Sequence, residues 1–275
     1  MFQFRDGTTD KVIFDQVVTD NEYRLPSLFD DGDVVIDIGA HIGSFTYAAL
    51  RSGASRVFAI EADRSNYELA SRNLERAVLS QRVELLRAAV WRSDEPARVV
   101  YHGGYGDGAA RELNTGGMGV IWAQAGEPIE TIAFDTLVDN VLKRSKRIRL
   151  LKIDCEGSEW PILLTSKRIE AIHEVCGEFH EIGGPYDRQT PPFQIPGYTH
   201  YTVDVLEEFF TKRGYKFCSY RGRTIDGEIS PCGLFFAVKA PLLSGLGMRF
   251  YFRLKARLMA RHFARAAAEK LASAA

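Results

Sequence analysis

A short apolar run, Val34–Ile38, constrains the fold more than any other feature of this sequence. Four of its five residues are β-branched and apolar, and Asp37 is the exception. Such a run is typical of a strand that is buried on both faces, as in parallel sheets. Gly39 follows at once, and helical periodicity extends over residues 42–51. The segment therefore predicts a strand–turn–helix unit of an α/β sheet.

Strands and helices alternate through much of the chain. Further strands are predicted at 57–60, 82–86, 99–101, 129–134, 148–153, 175–180, 215–220 and 234–238, and helices at 65–78 (with Ser65 as N-cap), 135–142, 158–164 and 202–213. This alternation predicts a doubly wound α/β sheet that ends in an antiparallel hairpin. The glycine-rich segment 102–119 and the proline-containing segment 183–197 are predicted to be long loops that cover an acceptor site.

Composition and charge define the domain organisation. The 275 residues are 45% hydrophobic and carry a net charge of −1, which suits one soluble domain with a sizeable core. We expect an N-terminal cap of strand and helix over 1–30, a main domain over 31–240 and a basic C-terminal helix over 241–275. Since the basic residues concentrate in the last segment, the body is acidic, which argues against nucleic acid as a partner.

The C-terminal segment has two interpretations. Its arginines fall mainly on one helical face. Either the helix packs on its own domain and this face is in solvent, or the helix contacts an anionic membrane surface or a partner helix. The N-terminal region is polar and lacks the apolar core of a signal peptide, and no stretch is long and apolar enough to span a membrane. We therefore expect a cytoplasmic protein, with peripheral contact at the inner membrane surface as an option.

The segment after the first strand has the pattern D-x-G-x-x-x-G. Asp37, Gly39, Ala40, His41 and Gly43 are candidate cofactor-binding residues. A dinucleotide site needs the pattern G-x-G-x-x-G, and here His41 stands at the second glycine, where a side chain would crowd a pyrophosphate. The spacing therefore favours S-adenosylmethionine over a nicotinamide dinucleotide.

Two acidic residues at the end of the second predicted strand complete the candidate cofactor site. Glu61 lies about 20 residues further along the chain, where a carboxylate can accept hydrogen bonds from ribose hydroxyls. Asp63 is the second candidate for that role.

Two motifs resemble those of a known family. Residues 35–46 (VIDIGAHIGSFT) and 151–159 (LKIDCEGSE) are similar to the first motif and to the K-x-D-x-E-G-x-E stretch of the FkbM family of S-adenosylmethionine-dependent methyltransferases. The resemblance covers roughly residues 23–181, with His41 replacing the usual Asn and Ala62 the usual Pro. It implies a class I methyltransferase, Rossmann-like and doubly wound, with seven strands in the order 3-2-1-4-5-7-6 and the last strand antiparallel. It also implies O-methylation of a sugar, glycan or specialised metabolite.

Titratable residues follow two of the predicted strands, where ligands of open α/β sheets bind. His180 is a candidate general base, and Asp154 is the alternative, with Glu156 lining the site. We interpret Glu159 as a carboxylate that complements a helix dipole.

A metal site is a weaker interpretation of the same residues. Asp154, Glu156, Glu178 and His180 offer ligands of the kind that Mg²⁺ accepts, but their spacing matches no specific metal motif. No metal is therefore predicted, and Mg²⁺ stays an option.

Four aromatic residues of the second loop region have two interpretations. Tyr186, Phe193, Tyr198 and Tyr201 either stack on the acceptor or anchor the loop. Tyr23, in the cap, is a weaker candidate for a place near the cofactor.

The four cysteines, Cys155, Cys176, Cys218 and Cys232, have no metal or redox spacing. A bridge between Cys218 and Cys232 is the less favoured alternative to free thiols.

Two other functions stay open at this point. The first is an NAD-dependent oxidoreductase, and the second is a non-catalytic ligand-binding protein of the same fold.

Overall fold

The computed structural model describes residues 2–96, 98–104, 114–119, 127–224 and 227–239. Its strands are β1 (Val34–Ile38), β2 (Arg56–Glu61), β3 (Val83–Arg87), β4 (Ala89–Trp91), β5 (Val99–Gly104), β6 (Met118–Gly119), β7 (Glu127–Ala133), β8 (Ile148–Ile153), β9 (Ile172–His180), β10 (Tyr215–Arg223) and β11 (Ile229–Lys239). Its α-helices are α1 (Asp10–Phe14), α2 (Ser44–Arg51), α3 (Arg64–Asn73), α4 (Glu75–Leu79), α5 (Phe134–Leu142), α6 (Glu159–Leu164) and α7 (Val203–Thr211).

The main sheet has seven strands in the order β10-β11-β9-β8-β1-β2-β3. Strand β1 pairs in parallel with β2 and β8, and β9 continues the parallel arrangement beside β8. Strand β11 runs antiparallel to both β9 and β10. The predicted order 3-2-1-4-5-7-6 with a reversed last strand is therefore confirmed.

The core occupies both faces of this sheet. Val34, Ile36 and Ile38 of β1 belong to one cluster, which includes α5 and α6, whereas Val35 belongs to the other, which includes α2 and the N-terminal cap. Because successive side chains of a strand point to opposite faces, covering both faces requires an uninterrupted apolar run.

A second, smaller sheet joins β4, β7, β5 and β6. The predicted strand 129–134 is β7, which starts two residues earlier and ends at Ala133, because Phe134 begins α5. The loop predicted over 102–119 was wrong at both of its ends: residues 102–104 belong to β5, which extends beyond the predicted 99–101, and residues 118–119 form β6. Of this segment the structure describes residues 102–104 and 114–119.

Two predictions of secondary structure in the N-terminal half of the chain were wrong. The helix predicted over 65–78 is divided at Leu74 into α3 and α4, and its N-cap is Asp63, whose side chain accepts a hydrogen bond of 2.7 Å from the backbone N–H of Asn66. Ser65 lies inside the helix, because the extended backbone of Asp63 fits the cap position better. The described cap, residues 2–30, contains the helix α1 and one π-helical turn at Asp15–Thr19, and the predicted strand is absent from these residues.

The C-terminal hairpin is longer than predicted. Strands β10 and β11 extend beyond the predicted 215–220 and 234–238, and β11 includes Pro231 and Gly233. Cys218 pairs with Phe236 and Cys232 with His180 in the sheet register, and all four cysteines are free. The alternative of a Cys218–Cys232 disulfide was therefore wrong.

The predicted basic helix over 241–275 lies outside the described residues. Within the described ranges, no helix has the length and apolar character needed to cross a bilayer.

Candidate active site

The turn after β1 contacts the end of β8. Gly39 has a φ of +76°, and a Cβ atom added there would lie 1.8 Å from the Asp154 carbonyl oxygen. The N–H groups of Gly39 and Ala40 donate to the Ile60 carbonyl at 3.0 Å each. Glycine is required here because the turn is left-handed and approaches another backbone closely. The glycine turn after β1 and the residue that follows β8 are therefore in direct contact.

Glu61 fixes the other side of this turn. Its Oε2 accepts a hydrogen bond of 2.7 Å from the His41 backbone N–H, and its Oε1 accepts one of 2.8 Å from the Asp63 N–H. Burial raises the pKa of Glu61 to about 7, although these hydrogen bonds act in the opposite direction. A carboxylate oxygen can accept more than one hydrogen bond, so Glu61 keeps capacity for a ligand hydroxyl.

The side chain of His41 faces the cap and the described end of the glycine-rich segment. Its Nε2 lies 2.9 Å from Thr115 Oγ1 and 3.4 Å from Asp10 Oδ1. Asp10 is buried and is also paired with Arg5. The ring of His41 therefore connects the glycine turn with Thr115 and with the cap.

A buried lysine lies between the two strand ends, and the sequence interpretation assigned it no role. The Nζ of Lys152 donates to the Gly39 carbonyl at 2.6 Å and lies 3.6 Å from Asp37 and 3.7 Å from Asp154. Burial opposes its charge, but these two carboxylates outweigh that effect and raise the pKa of Lys152. The position of this lysine inside a buried strand indicates that it has charged partners, because a charge is rarely buried without them.

The cap supplies Tyr23 to the same place. Its hydroxyl donates a hydrogen bond of 2.8 Å to Asp154 Oδ2, and its ring lies beside Lys152. The neighbouring Glu22 is also close to Asp154, and burial, reinforced by that carboxylate, raises the pKa of Glu22 to about 8. Cap and sheet therefore meet at Asp154.

The ends of β8 and β9 bring the predicted catalytic candidates together. His180 Nε2 lies 3.4 Å from Glu156 Oε2, and both side chains are partly exposed, at 14% and 19%. Burial raises the pKa of Glu156 to about 7 and that of Glu178 to about 8, while the His180 charge opposes both shifts. Burial also opposes protonation of His180, but Glu156 and Glu159 outweigh it and raise the pKa of the ring well above its ordinary value.

The structure gives Glu159 a different role from the predicted one. Its side chain is completely buried, and its Oε1 lies 2.8 Å from His180 Nδ1. A carboxylate that served only the helix dipole would not need this partner, so the dipole interpretation was incomplete. The sequence gives no signal of the contact, because the two residues are 21 positions apart.

The same groups could hold a metal ion. Asp154, Glu156 and His180 form one set whose ligand atoms lie within 4.8 Å of one another, and Glu178, His180 and Cys232 form another. The set of oxygen and nitrogen donors is of the kind that Mg²⁺ or Mn²⁺ accepts.

The aromatic residues of the second loop region separate into two groups. Tyr201 is 1% exposed, packs against Phe193 with the ring centroids 4.9 Å apart and the planes tilted by 50°, and accepts a hydrogen bond from the Ile195 N–H, so these two rings anchor the loop. Tyr198 packs partly buried against the core. Tyr186 is 45% exposed, with the Arg221 guanidinium 4.6 Å from its ring, and is the one of the four that is open to a ligand.

The fold and this site define a class of protein. A parallel sheet with a reversed last strand, a glycine turn after β1 and acidic residues at the ends of β2 and β8 are the features of a class I, S-adenosylmethionine-dependent methyltransferase. The chain belongs to the FkbM methyltransferase family: the family model described as "Methyltransferase FkbM domain" matches residues 37–217, more than half of the chain. S-adenosylmethionine is accordingly its cofactor, and the nicotinamide alternative is wrong.

Solved structures that resemble the chain are distant. The chain matches TrmK of M. capricolum in complex with S-adenosyl-homocysteine at 11% identity, covering 86% of this chain and 73% of that one, with a TM-score of 0.41. It matches a precorrin-6y C5,15-methyltransferase of Geobacter metallireducens GS-15 at 14% identity, covering 86% and 93%, with a TM-score of 0.41. An rRNA methylase of Streptococcus thermophilus matches at 13% identity over 78% and 90%, with a TM-score of 0.39. No curated protein matches.

Proposed function

We propose that this protein is an O-methyltransferase that transfers the methyl group of S-adenosylmethionine to a hydroxyl of a sugar, a glycan or a specialised metabolite. The observation that carries the proposal is the contact between Gly39 and Asp154, which joins the cofactor turn to the strand end that bears the candidate catalytic groups. Methyl transfer from a sulfonium is an in-line displacement, and holding the reactants in line contributes about 7–11 kcal/mol. Such a site therefore needs few catalytic side chains.

The residues present fit a cationic nucleoside. S-adenosylmethionine, when bound, supplies an activated methyl group on a positively charged sulfur. Asp37, Gly39, Ala40, His41 and Gly43 would shape its binding turn, and Glu61 and Asp63 would face its ribose. The surrounding carboxylates outnumber the cations Lys152 and His180, which suits a ligand with a positive charge.

The acceptor hydroxyl must lose its proton as the new carbon–oxygen bond forms. His180 Nε2, at the exposed edge of the cluster, would take this proton, with Glu156 beside it stabilising the resulting imidazolium. Asp154 is the alternative base. Because the pKa of His180 is raised, the activity should increase as the pH rises above neutrality.

The acceptor is proposed to be a small molecule or a glycan and not a nucleic acid, because the chain outside the basic C-terminal segment is acidic. Exposed Tyr186 supplies a ring on which a sugar could stack. A cytoplasmic location, with the basic segment near an anionic membrane, agrees with a lipid-linked or soluble glycan.

His180→Ala tests this proposal. Loss of a general base should lower turnover roughly 10²–10⁴-fold, measured as S-adenosyl-homocysteine formed with acceptors from cell extract, while the calorimetric affinity for the cofactor stays nearly unchanged. His173→Ala is the matched control, since His173 lies on the same strand at its opposite end.

Full turnover in His180→Ala would make His180 structural and leave Asp154 as the base. A protein that binds the cofactor but forms no product with any extract would instead support the non-catalytic alternative.

A further inference from the structure

Glu159 is held in place by four donors, two of which belong to His180. Its Oε1 accepts a hydrogen bond of 2.8 Å from the His180 backbone N–H and lies 2.8 Å from the ring Nδ1. Its Oε2 accepts one of 2.9 Å from the Gly157 N–H, and the Cys155 thiol lies 3.7 Å away. Both carboxylate oxygens are thus engaged in hydrogen bonds.

The helix dipole alone does not explain this burial. Helix α6 has only six residues, and a carboxylate in a first helical turn normally complements the dipole from the solvent. Asp204, in the first turn of α7, is in that ordinary situation. The Glu159 side chain is 0% exposed, and a buried carboxylate is retained where it is paired and hydrogen-bonded.

The pair determines which ring nitrogen carries a proton. An ionised carboxylate can only accept hydrogen bonds, so the Nδ1 of His180 must carry a hydrogen in either charge state of the ring. Neutral His180 then keeps its lone pair on Nε2, which is the nitrogen that faces Glu156. This is the form that a base acting through Nε2 requires.

The neighbouring residue of α6 fixes the backbone of the same histidine. The indole Nε1 of Trp160 donates a hydrogen bond of 2.6 Å to the His180 carbonyl, and Trp160 is completely buried. The start of α6 thus holds His180 at its N–H, its carbonyl and its ring.

We infer that Glu159 is a positioning residue for the methyl transfer: it holds His180 in the Nδ1-protonated form with Nε2 directed at Glu156 and the acceptor. The inference rests on the proposed function, in which His180 contacts the acceptor hydroxyl. Glu159 itself is buried behind the ring and touches no reactant.

The test combines spectroscopy of the ring with kinetics. In the full-length wild-type protein, ¹⁵N–¹H correlation spectra of the His180 imidazole should show the Nδ1–H tautomer at pH values above the ring pKa. In Glu159→Gln, the loss of one negative charge should lower the ring pKa and shift the acidic limb of the pH–rate profile to lower pH. Turnover at the optimum should fall roughly tenfold or more, with KM for the cofactor little changed.

Two further variants serve as controls. Asp204→Asn removes a first-turn carboxylate that no histidine contacts, and it should leave the ring pKa and the pH profile unchanged. Glu159→Asp keeps the charge and should restore part of the pH profile.

The outcomes separate this inference from the proposed function. An Nε2–H tautomer in the wild-type protein, or an unchanged His180 pKa in Glu159→Gln, would overturn the positioning role even if methyl transfer is observed. If Glu159→Gln does not fold, the tautomer of His180 in the wild-type protein alone decides whether Glu159 has the positioning role. If no acceptor is methylated but the tautomer and pKa respond as expected, the pairing stands and the proposed function fails.

Discussion

Replacing Gly39 by alanine perturbs the one contact on which the site depends. The φ of +76° costs an alanine about 1–2 kcal/mol. The new Cβ would lie 1.8 Å from the Asp154 carbonyl oxygen, so the ends of β1 and β8 must separate, which adds about 1–3 kcal/mol. We therefore expect the free energy of unfolding to fall by about 2–5 kcal/mol. Since Asp154 moves with the turn, S-adenosylmethionine should also lose most of its stabilising effect.

Gly214→Ala isolates the steric part of this effect. Gly214 has a nearly equal φ of +79° and nothing within 4 Å of an added Cβ. The free energy of unfolding of Gly214→Ala should therefore fall only by the cost of the left-handed backbone, about 1–2 kcal/mol. Urea unfolding of the two variants measures the difference, and thermal unfolding with and without cofactor measures binding. At a cofactor concentration 100-fold above Kd, wild type and Gly214→Ala should gain about 2.7 kcal/mol. Equal losses in both variants, together with an undiminished cofactor effect in Gly39→Ala, would refute the reasoning.

Two further predictions concern the cap. Burial raises the pKa of Glu22 from 4.5 to about 8. Its favourable contribution to the free energy of unfolding is therefore complete below pH 4.5 and is lost as the pH rises through about 8. Glu22→Gln should therefore raise Tm relative to wild type at pH 9 but not at pH 4, whereas exposed Glu75→Gln should show no such pattern; a pH-independent difference would contradict the assignment. Tyr23→Phe removes the hydrogen bond to Asp154 and should cost about 1.5–3 kcal/mol in urea unfolding. Tyr186→Phe at an exposed position is its control, and equal stability of the two variants would show that the Tyr23 bond contributes nothing.

The sequence predicts those parts of the fold that local periodicity determines. The apolar run of β1 and the run 148–153 identify the buried strands, because few other local structures bury all residues of such a segment, as β1 does, or all but one, as β8 does with Arg149 partly buried. The helix break at Leu74 and the extent of β10 and β11 were missed. Local patterns do not report the register of the antiparallel hairpin, which carries Pro231 and Gly233 inside a strand.

The candidate site could likewise be predicted only in part from the sequence. Strand-end positions bring Asp154, Glu156 and His180 to one edge of the sheet, as parallel topology requires. Contacts between distant segments could not be predicted: Tyr23 reaches Asp154 across 131 positions and His41 reaches Thr115 across 74. Glu159 resembles an ordinary carboxylate of a first helical turn until the packing around it is known, whereas the place of Lys152 inside a buried strand already indicates a paired charge.

The central claim is that the turn after β1 binds S-adenosylmethionine with its methyl group directed at the ends of β8 and β9. The most direct measurement is a crystal structure of the full chain with S-adenosyl-homocysteine. The claim predicts that the ligand contacts the turn at Gly39 and the carboxylate of Glu61, and that its sulfur faces Asp154 and His180. A ligand bound elsewhere, or bound with its sulfur directed away from these two residues, would contradict it.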